Sequence, residues 1–270
     1  MSNYEYDVSK IIEMYNGKLS RQYIWGFNDY SKVYYSSNED FKIMFSSIDM
    51  NNKSVLTVLA SGDQALHFYN KGAKRVDVFD VNRVTKYYYG LRLLAIKYLN
   101  TSFLGNEEDF INNVIEIINK CSKDNEFEKE IVGFWSLLLK KIPKQDIFNT
   151  IFRGYDKYCD IENLKIKFND DINFSFYNFD ILDNVDECKN KYDILVLSNI
   201  HEYVSLNNMS IFTDNVSKLL QNNGYALITN FGPIQESIRE GLERSFLIED
   251  LPVEYYCGVP VGNKLVKRRN

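Results

Sequence analysis

Short apolar runs alternate with segments of helical periodicity in the first hundred residues of the chain. Residues 55–60 and 75–80 are apolar and rich in β-branched side chains, and a helix-like segment follows each of them. Residues 83–99 repeat apolar side chains at helical spacing, which predicts one amphipathic helix. This strand–helix order predicts a parallel sheet with helices on both of its faces.

The same alternation resumes in the last hundred residues. The final two strands are broken by glycines and predict an antiparallel pair that closes a mostly parallel sheet. The predicted elements of this part are strands at 173–177, 193–197, 225–229, 246–251 and 254–267, and helices at 207–221 and 234–244.

Residues 99–171 show helical periodicity only. Seventy-three residues are too many for a structureless loop in a compact domain, so we expect them to form a small helical bundle. The prediction is therefore one domain formed by residues 1–98 and 172–270, interrupted by an insertion at 99–171.

Composition narrows the class of protein. With 45% hydrophobic and 26% charged residues, the 270-residue chain can bury a large core, and its apolar runs fall short of the roughly 20 residues that span a bilayer. The first thirty residues carry frequent charges and predict no export signal. Four widely spaced cysteines indicate free thiols, and we expect a cytoplasmic location.

Net charge and histidine content argue against a nucleic-acid partner and a metal site. A net charge of −5 would repel a nucleic-acid backbone, so we expect no nucleic-acid partner. Two histidines far apart in sequence predict no metal site. The oligomeric state does not follow from these features.

Ligands of open α/β sheets lie beyond the carboxyl ends of the strands, which makes the residues after each strand candidates. A turn of small residues follows the first strand and lets the backbone approach a ligand; it contains Ser61, Gly62 and Asp63. The same residues are also compatible with an ordinary strand–helix turn that binds no ligand. Asp80 ends the second strand, where a carboxylate can accept hydrogen bonds from both hydroxyls of a ribose. Its alternative role is a helix N-cap, which Asn82 can fill equally well.

The later strand ends carry further candidates. Asp180 and Ile181 can hold an adenine by its amino group and its face. The cluster after the fourth strand contains Ser198, Asn199, His201 and Glu202; since histidine ordinarily titrates near neutral pH, His201 is the candidate base, with Glu202 beside it. Solvent-facing or packing roles remain open for both. No lysine-bearing phosphate loop follows the first strand, which favours an adenosine compound without phosphates, S-adenosylmethionine.

Three stretches carry a resemblance to a known family. They are Val55-Leu-Thr-Val-Leu-Ala-Ser-Gly-Asp-Gln-Ala-Leu66, Arg75-Val-Asp-Val-Phe-Asp-Val-Asn82 and Leu91-Arg-Leu-Leu-Ala-Ile-Lys97, with Val33–Asp40 upstream. They resemble the S-adenosylmethionine:diacylglycerol 3-amino-3-carboxypropyltransferases of betaine-lipid synthesis. Asn38 stands where that family has tryptophan, and one glycine of its double-glycine turn is missing.

The resemblance implies a Rossmann-like fold of the class I methyltransferase type. It also implies an S-adenosylmethionine-dependent transferase that moves the 3-amino-3-carboxypropyl group to a hydroxyl or amine and releases methylthioadenosine. A methyltransferase and a non-catalytic S-adenosylmethionine-binding protein are the alternatives. The expected cofactor-binding residues are Tyr35, Ser61, Gly62, Asp63, Asp80, Asn82, Asp180, Ile181, Ser198 and Asn199.

The acceptor is expected to be a small molecule or a lipid, selected by the insertion. Residues 99–171 contain 14 acidic and 10 basic side chains, which suits a neutral or amine-bearing acceptor better than an anionic surface.

Overall fold

The chain folds into two compact units. A computed structural model describes residues 2–17, 28–37, 45–46, 48–101, 104–153, 174–183, 185–230, 235–250, 254–256 and 259–268, with side chains up to residue 249 other than that of residue 230. The helical unit contains residues 1–38, 59–66 and 81–172, and the sheet unit contains residues 39–58, 67–80 and 173–270.

The helical unit is built from five helices and the beginning of a sixth, within the described residues. Helix α2 begins in this unit and ends in the sheet unit. The helices are α1 (Asn3–Tyr15), α2 (Asp63–Asn70), α3 (Arg83–Leu99), α4 (Glu107–Lys120), α5 (Glu126–Lys141) and α6 (Lys144–Ile151).

Aromatic packing around α3 forms the core of the helical unit. The ring of Tyr87 stacks on Phe134 of α5 with centroids 3.9 Å apart, and the indole of Trp135 donates to the Tyr87 carbonyl at 3.0 Å. A Cβ on Gly90 would lie 2.4 Å from Ile131 Cδ1, so this glycine permits the close approach of α3 and α5. The predicted helix at 83–99 is confirmed, and its contacts bury most of its surface.

The sheet unit contains all eight strands of the described part of the chain, in the order β3-β2-β1-β4-β5-β8-β6 with β7 paired to β8. The first five strands in this order pair parallel with one another, and β8 runs antiparallel to β5 and β6. This arrangement confirms the predicted α/β fold class. The strands are β1 (Ser54–Val58), β2 (Arg75–Phe79), β3 (Phe176–Tyr177), β4 (Tyr192–Val196), β5 (Leu220–Asn230), β6 (Phe246–Asp250), β7 (Glu254–Tyr256) and β8 (Val259–Arg268).

Several strand boundaries differ from the predicted ones. Strand β1 ends at Val58, before Ala60, whose φ of 45° does not fit a strand. Only Phe176 and Tyr177 of the interval 173–177 are in a strand, and Asn173 lies outside the described residues. The predicted strand at 254–267 is two strands, β7 and β8, that pair antiparallel with each other.

Two further helices complete the sheet unit, α7 (Met209–Leu219) and α8 (Glu236–Glu243). Residues Ile200–Tyr203 and Leu206–Asn208 form 3₁₀ turns between β4 and α7. The apolar face of α7 packs in a core with Leu195 and Ala226 of the central strands. The sheet is thereby covered on this face.

The interval 99–171 supplies α4, α5 and α6 to the helical unit, while its residues 154–171 lie outside the described part. These helices share one apolar core with α1 and α3. The division of the chain at residues 98 and 171, with an insertion that selects the acceptor, stays a prediction.

None of the described helices combines the length and apolar character needed to cross a bilayer. Cys121 and Cys188 are buried free thiols, and Cys159 and Cys257 lie outside the described residues. In the described ranges, His, Cys, Asp and Glu side chains form no group of three suited to a metal ion.

Candidate functional site

The predicted site residues divide between the two units. Tyr35, the turn at 61–63 and Asn82 belong to the helical unit, and all others belong to the sheet unit.

The turn after β1 has a strained backbone. Ala60 has φ 45° and Gly62 has φ 85°, and the Gly62 amide donates to the Leu59 carbonyl at 2.6 Å. A Cβ on Gly62 would lie 2.5 Å from Tyr89 Cδ2, so both the φ angle and the neighbouring ring require glycine. A left-handed alanine persists only where surrounding contacts fix it, and such positions cluster at ligand sites.

Asp63 holds this turn from inside the protein. Its side chain is fully buried, and its Oδ2 accepts hydrogen bonds from Ser61 Oγ and from the Ser37 amide, both at 2.7 Å. Its Oδ1 lies 2.7 Å from Arg92 Nη2 in an ion pair. These contacts favour a positioning role, and direct binding of a cofactor by Asp63 stays a prediction.

Arg92 was not among the residues predicted from sequence. Its guanidinium is 1% exposed and also donates to the Ser61 carbonyl at 2.8 Å. Burial disfavours its charged form, but the attraction of Asp63 and the other favourable contacts outweigh burial, so the pKa of Arg92 is raised. A basic residue inside an apolar helix was the available signal, since such a residue needs an acidic partner.

Asn82 is the N-cap of α3. Its Oδ1 accepts the Val84 amide at 3.0 Å, and its Nδ2 donates to the Ser31 carbonyl at 2.6 Å. The capping role, left open between Asp80 and Asn82 by the sequence, therefore belongs to Asn82. Binding of a cofactor by Asn82 stays a prediction.

Tyr35 lies in the aromatic core of the helical unit. Its ring stacks on Tyr88 and contacts Phe110, Phe148 and Phe152. Its hydroxyl donates to the Gly105 carbonyl at 2.5 Å. These contacts describe a packing role, and the predicted contact of Tyr35 with the cofactor has no support among them.

In the sheet unit, the carboxyl ends of four parallel strands meet at one edge. Phe79 of β2 pairs with Val58 of β1 on one side and Tyr177 of β3 on the other, and Val196 of β4 pairs with Thr57. Residues that follow β2, β3 and β4 therefore share this edge. It is the edge at which open α/β sheets bind ligands.

Asp80 is held at this edge by its main chain. Its amide donates to the Tyr177 carbonyl at 3.1 Å, and its carbonyl accepts from Asn178 Nδ2 at 2.9 Å. The side chain is half-buried. A substitution of the carboxylate therefore leaves these two backbone contacts in place.

Asp180 and Ile181 follow β3. Asp180 Oδ1 accepts the Leu182 amide at 2.9 Å in a local turn, and its Oδ2 has no hydrogen-bond donor within the described part of the chain. Ile181 is 2% exposed and packs in the core of the sheet unit, while its carbonyl accepts from Asn215 Nδ2. Asp180 thus keeps an acceptor for a ligand, whereas the contacts of Ile181 are those of a core residue.

The residues after β4 begin with a second strained position. Ser198 has φ 48°, and its carbonyl accepts the Thr229 amide of β5 at 2.9 Å. Asn199 is half-buried and accepts the Glu202 amide with its carbonyl at 3.0 Å. The backbone thus leaves β4 sharply, as it leaves β1.

The two candidate catalytic residues lie in very different surroundings. His201 is 1% exposed, whereas Glu202 is exposed, although both belong to one 3₁₀ turn. A general base must reach the acceptor, so burial of His201 counts against this role in the present conformation. The assignment of either residue as base stays a prediction.

Comparisons with known proteins find distant structural likeness only. No protein-family model matches the chain, and no curated protein matches it. A TehB-like methyltransferase from Corynebacterium glutamicum is 11% identical, with 97% of this chain and 100% of that chain covered and a TM-score of 0.46. The N-methyltransferase NodS from Bradyrhizobium japonicum, in complex with S-adenosylhomocysteine, is 11% identical over 85% and 83% of the two chains, with a TM-score of 0.40.

A third solved structure is the magnesium protoporphyrin IX methyltransferase of Synechocystis with bound S-adenosylmethionine. It is 10% identical over 84% of this chain and 75% of that chain, with a TM-score of 0.41. At such identities and TM-scores, the likeness identifies neither a substrate nor a reaction for this chain.

Proposed function

We propose that this protein is an S-adenosylmethionine-dependent transferase. The placement of Asp80 carries the proposal. Asp80 directly follows β2 at the carboxyl edge of a parallel sheet, and Asn82 caps the next helix instead. An acidic residue at this position suits the two hydroxyls of a ribose. Asp180 follows the neighbouring strand at the same edge and keeps a carboxylate oxygen for the amino group of adenine.

The turn after β1 supports a ligand without phosphates. Phosphate-binding turns present cationic side chains or unopposed amides at the start of the following helix. Here α2 starts with the buried carboxylate of Asp63, and the guanidinium of Arg92 is engaged by that carboxylate. These residues offer no spare positive charge, which agrees with a ligand whose own sulfonium is cationic.

The proposed transfer needs no general acid, because the leaving group is a thioether. A hydroxyl or amine of the acceptor attacks one carbon of the sulfonium, the S–C bond breaks, and its electron pair returns to sulfur as a neutral thioether. The acceptor proton passes to a base, for which His201 and Glu202 are the candidates. Orientation of the cofactor decides which carbon is attacked.

For the transferred group, the resemblance carried by stretches between residues 33 and 97 supports the 3-amino-3-carboxypropyl group. Residues 38–44 of that interval lie outside the described part of the chain. The proposed acceptor is a small molecule or a lipid carrying a hydroxyl or amine, and the proposed location is the cytoplasm.

Identification of the sulfur product tests the reaction. The purified chain is incubated with S-adenosylmethionine and a cell extract depleted of endogenous nucleosides, and products are separated by liquid chromatography with mass detection. Methylthioadenosine above the level of an Asp80→Asn control supports the proposal, whereas S-adenosylhomocysteine above the level of the same control identifies methyl transfer. Binding without either product identifies a non-catalytic binding protein.

A further inference from the structure

The buried guanidinium of Arg92 contacts both the main chain and the side chains of the turn after β1. Nη1 donates to the Ser61 carbonyl at 2.8 Å, and Nη2 lies 2.7 Å from Asp63 Oδ1. The other oxygen of Asp63 accepts Ser61 Oγ and the Ser37 amide. Arg92 therefore fixes the carbonyl of Ser61, and Asp63 fixes its hydroxyl.

A gain in stability does not by itself explain this buried ion pair. Transfer of two charges from water to the interior carries a desolvation penalty, and apolar residues of similar volume often give equal or greater stability. The same unit contains a second arginine–aspartate pair, Arg83 with Asp7 at 2.9 Å, in which Arg83 is about one third exposed. The Arg83 pair joins α3 to α1, so it stabilises the unit without touching the turn.

The turn needs external support because its backbone is strained. Ala60 has φ 45°, a conformation that an alanine adopts only under constraint. The planar guanidinium can bind a carbonyl and a carboxylate at once, which an ammonium group on a lysine does with less geometric control.

We infer that Arg92 is a positioning residue for the cofactor, acting through Asp63 and the Ser61 carbonyl to hold residues 60–62 in the conformation that binds it. This inference rests on the proposed function, because the ligand is S-adenosylmethionine. Because Arg92 is 1% exposed and its guanidinium is engaged by Asp63 and Ser61, the inferred role acts through these two residues.

The test compares Arg92→Met with Arg83→Met in the full chain. Amide hydrogen exchange of residues 59–66 reports the turn without any ligand, and calorimetry with S-adenosylmethionine reports its binding. Arg92→Met is expected to speed exchange of 59–66 at least about tenfold and to weaken binding at least about tenfold. Arg83→Met is expected to lower the unfolding midpoint while changing both turn exchange and affinity less than about twofold.

Arg92→Met leaves Asp63 buried without its arginine and can prevent folding. The neutral pair Arg92→Gln with Asp63→Asn removes both charges together and serves as the second variant, with the same expected loss of affinity. KM for S-adenosylmethionine is expected to rise in this variant while kcat changes less than about threefold, because the reacting groups remain.

The outcomes separate the two claims. A wild-type chain that binds no S-adenosylmethionine overturns the proposed function and this inference with it. A wild-type chain that binds, together with an Arg92→Met or paired variant of equal affinity and equal exchange at 59–66, overturns the inference alone.

Discussion

The Tyr192 hydroxyl donates a hydrogen bond to Asp77 Oδ2 at 2.6 Å and so links β4 to β2, the two strands that flank β1. Asp77 is fully buried, and it also accepts the Ser175 amide at 2.8 Å and pairs with Arg75 at 2.7 Å. Donors from three positions of the sheet unit thus compensate the burial of one carboxylate. The hydrogen bond between Tyr192 and Asp77 thus connects β4 to β2 three residues before Asp80.

Tyr192→Phe is expected to lower the free energy of unfolding by about 1–3 kcal/mol, because it removes a donor from a buried carboxylate. Urea unfolding monitored by circular dichroism measures the change. Tyr203→Phe is the matched control, since Tyr203 is 61% exposed, and its effect should stay within about 0.5 kcal/mol. Equal stability of both variants would show that the Tyr192–Asp77 bond contributes nothing.

Buried tyrosines predict a loss of stability at alkaline pH. Burial, followed by the hydrogen bond to Asp77, raises the pKa of Tyr192 above its ordinary value of 10.0, and burial with nearby carboxylates raises the pKa of Tyr225 to about 12. Above about pH 10 the unfolded chain has lost protons that the folded chain keeps, so stability falls as pH rises through about 12. Urea midpoints should fall less steeply above about pH 10 in Tyr192→Phe than in the wild type; parallel curves would contradict this assignment.

Gly62→Ala is expected to destabilise the helical unit more than Gly17→Ala. Both glycines have a positive φ, at 85° and 69°, which a side chain makes unfavourable. A Cβ on Gly62 also lies 2.5 Å from the Tyr89 ring, whereas a Cβ on Gly17 meets nothing within 4 Å. The difference in unfolding free energy should be about 1–3 kcal/mol, and equal losses would mean that the Tyr89 ring moves aside without cost.

Glu128 predicts a contribution to stability that acid removes. It is 2% exposed and accepts Lys97 Nζ at 2.6 Å. Burial acts to raise the pKa of Glu128, but the Lys97 hydrogen bond and other donors outweigh burial and hold it below 4.5. The stabilisation is therefore present above about pH 4.5 and is lost as pH falls through the lowered pKa.

Glu128→Gln should destabilise the chain at about pH 7 and have a smaller effect at about pH 3, as measured by urea unfolding. Glu126→Gln in the same helix is the control, because Glu126 is 90% exposed and should show little effect at either pH. The same loss for Glu128→Gln at both pH values would argue against a contribution from its charge.

Local patterns predicted much of the fold. The apolar repeat of residues 83–99 and the capping residue Asn82 define α3, and the alternation of strands and helices defines the parallel sheet. Strand β3 was predicted as five residues, but only two pair with β2, since pairing depends on the partner strand and not on local pattern. The sequence also predicted one strand where β7 and β8 form an antiparallel hairpin.

The support of the candidate site could not be predicted in the same way. Asp63 and Arg92 are 29 positions apart, and their ion pair arises only when α3 packs against the turn. The contacts of the Tyr35 ring with Phe110 of α4 and Phe148 of α6 likewise join parts of the chain far apart in sequence, while the predicted contact of Tyr35 with the cofactor stays a prediction. Tertiary contacts of this kind leave no periodic signal.

Calorimetric titration with S-adenosylmethionine tests the central claim most directly. We predict saturable binding to the wild-type chain, at least about tenfold weaker in Asp80→Asn, because a charged acceptor for the ribose hydroxyls is lost. Asp183→Asn, which changes an exposed carboxylate after β3, should bind like the wild type. No binding by the wild type, or equal binding by Asp80→Asn, would contradict the account.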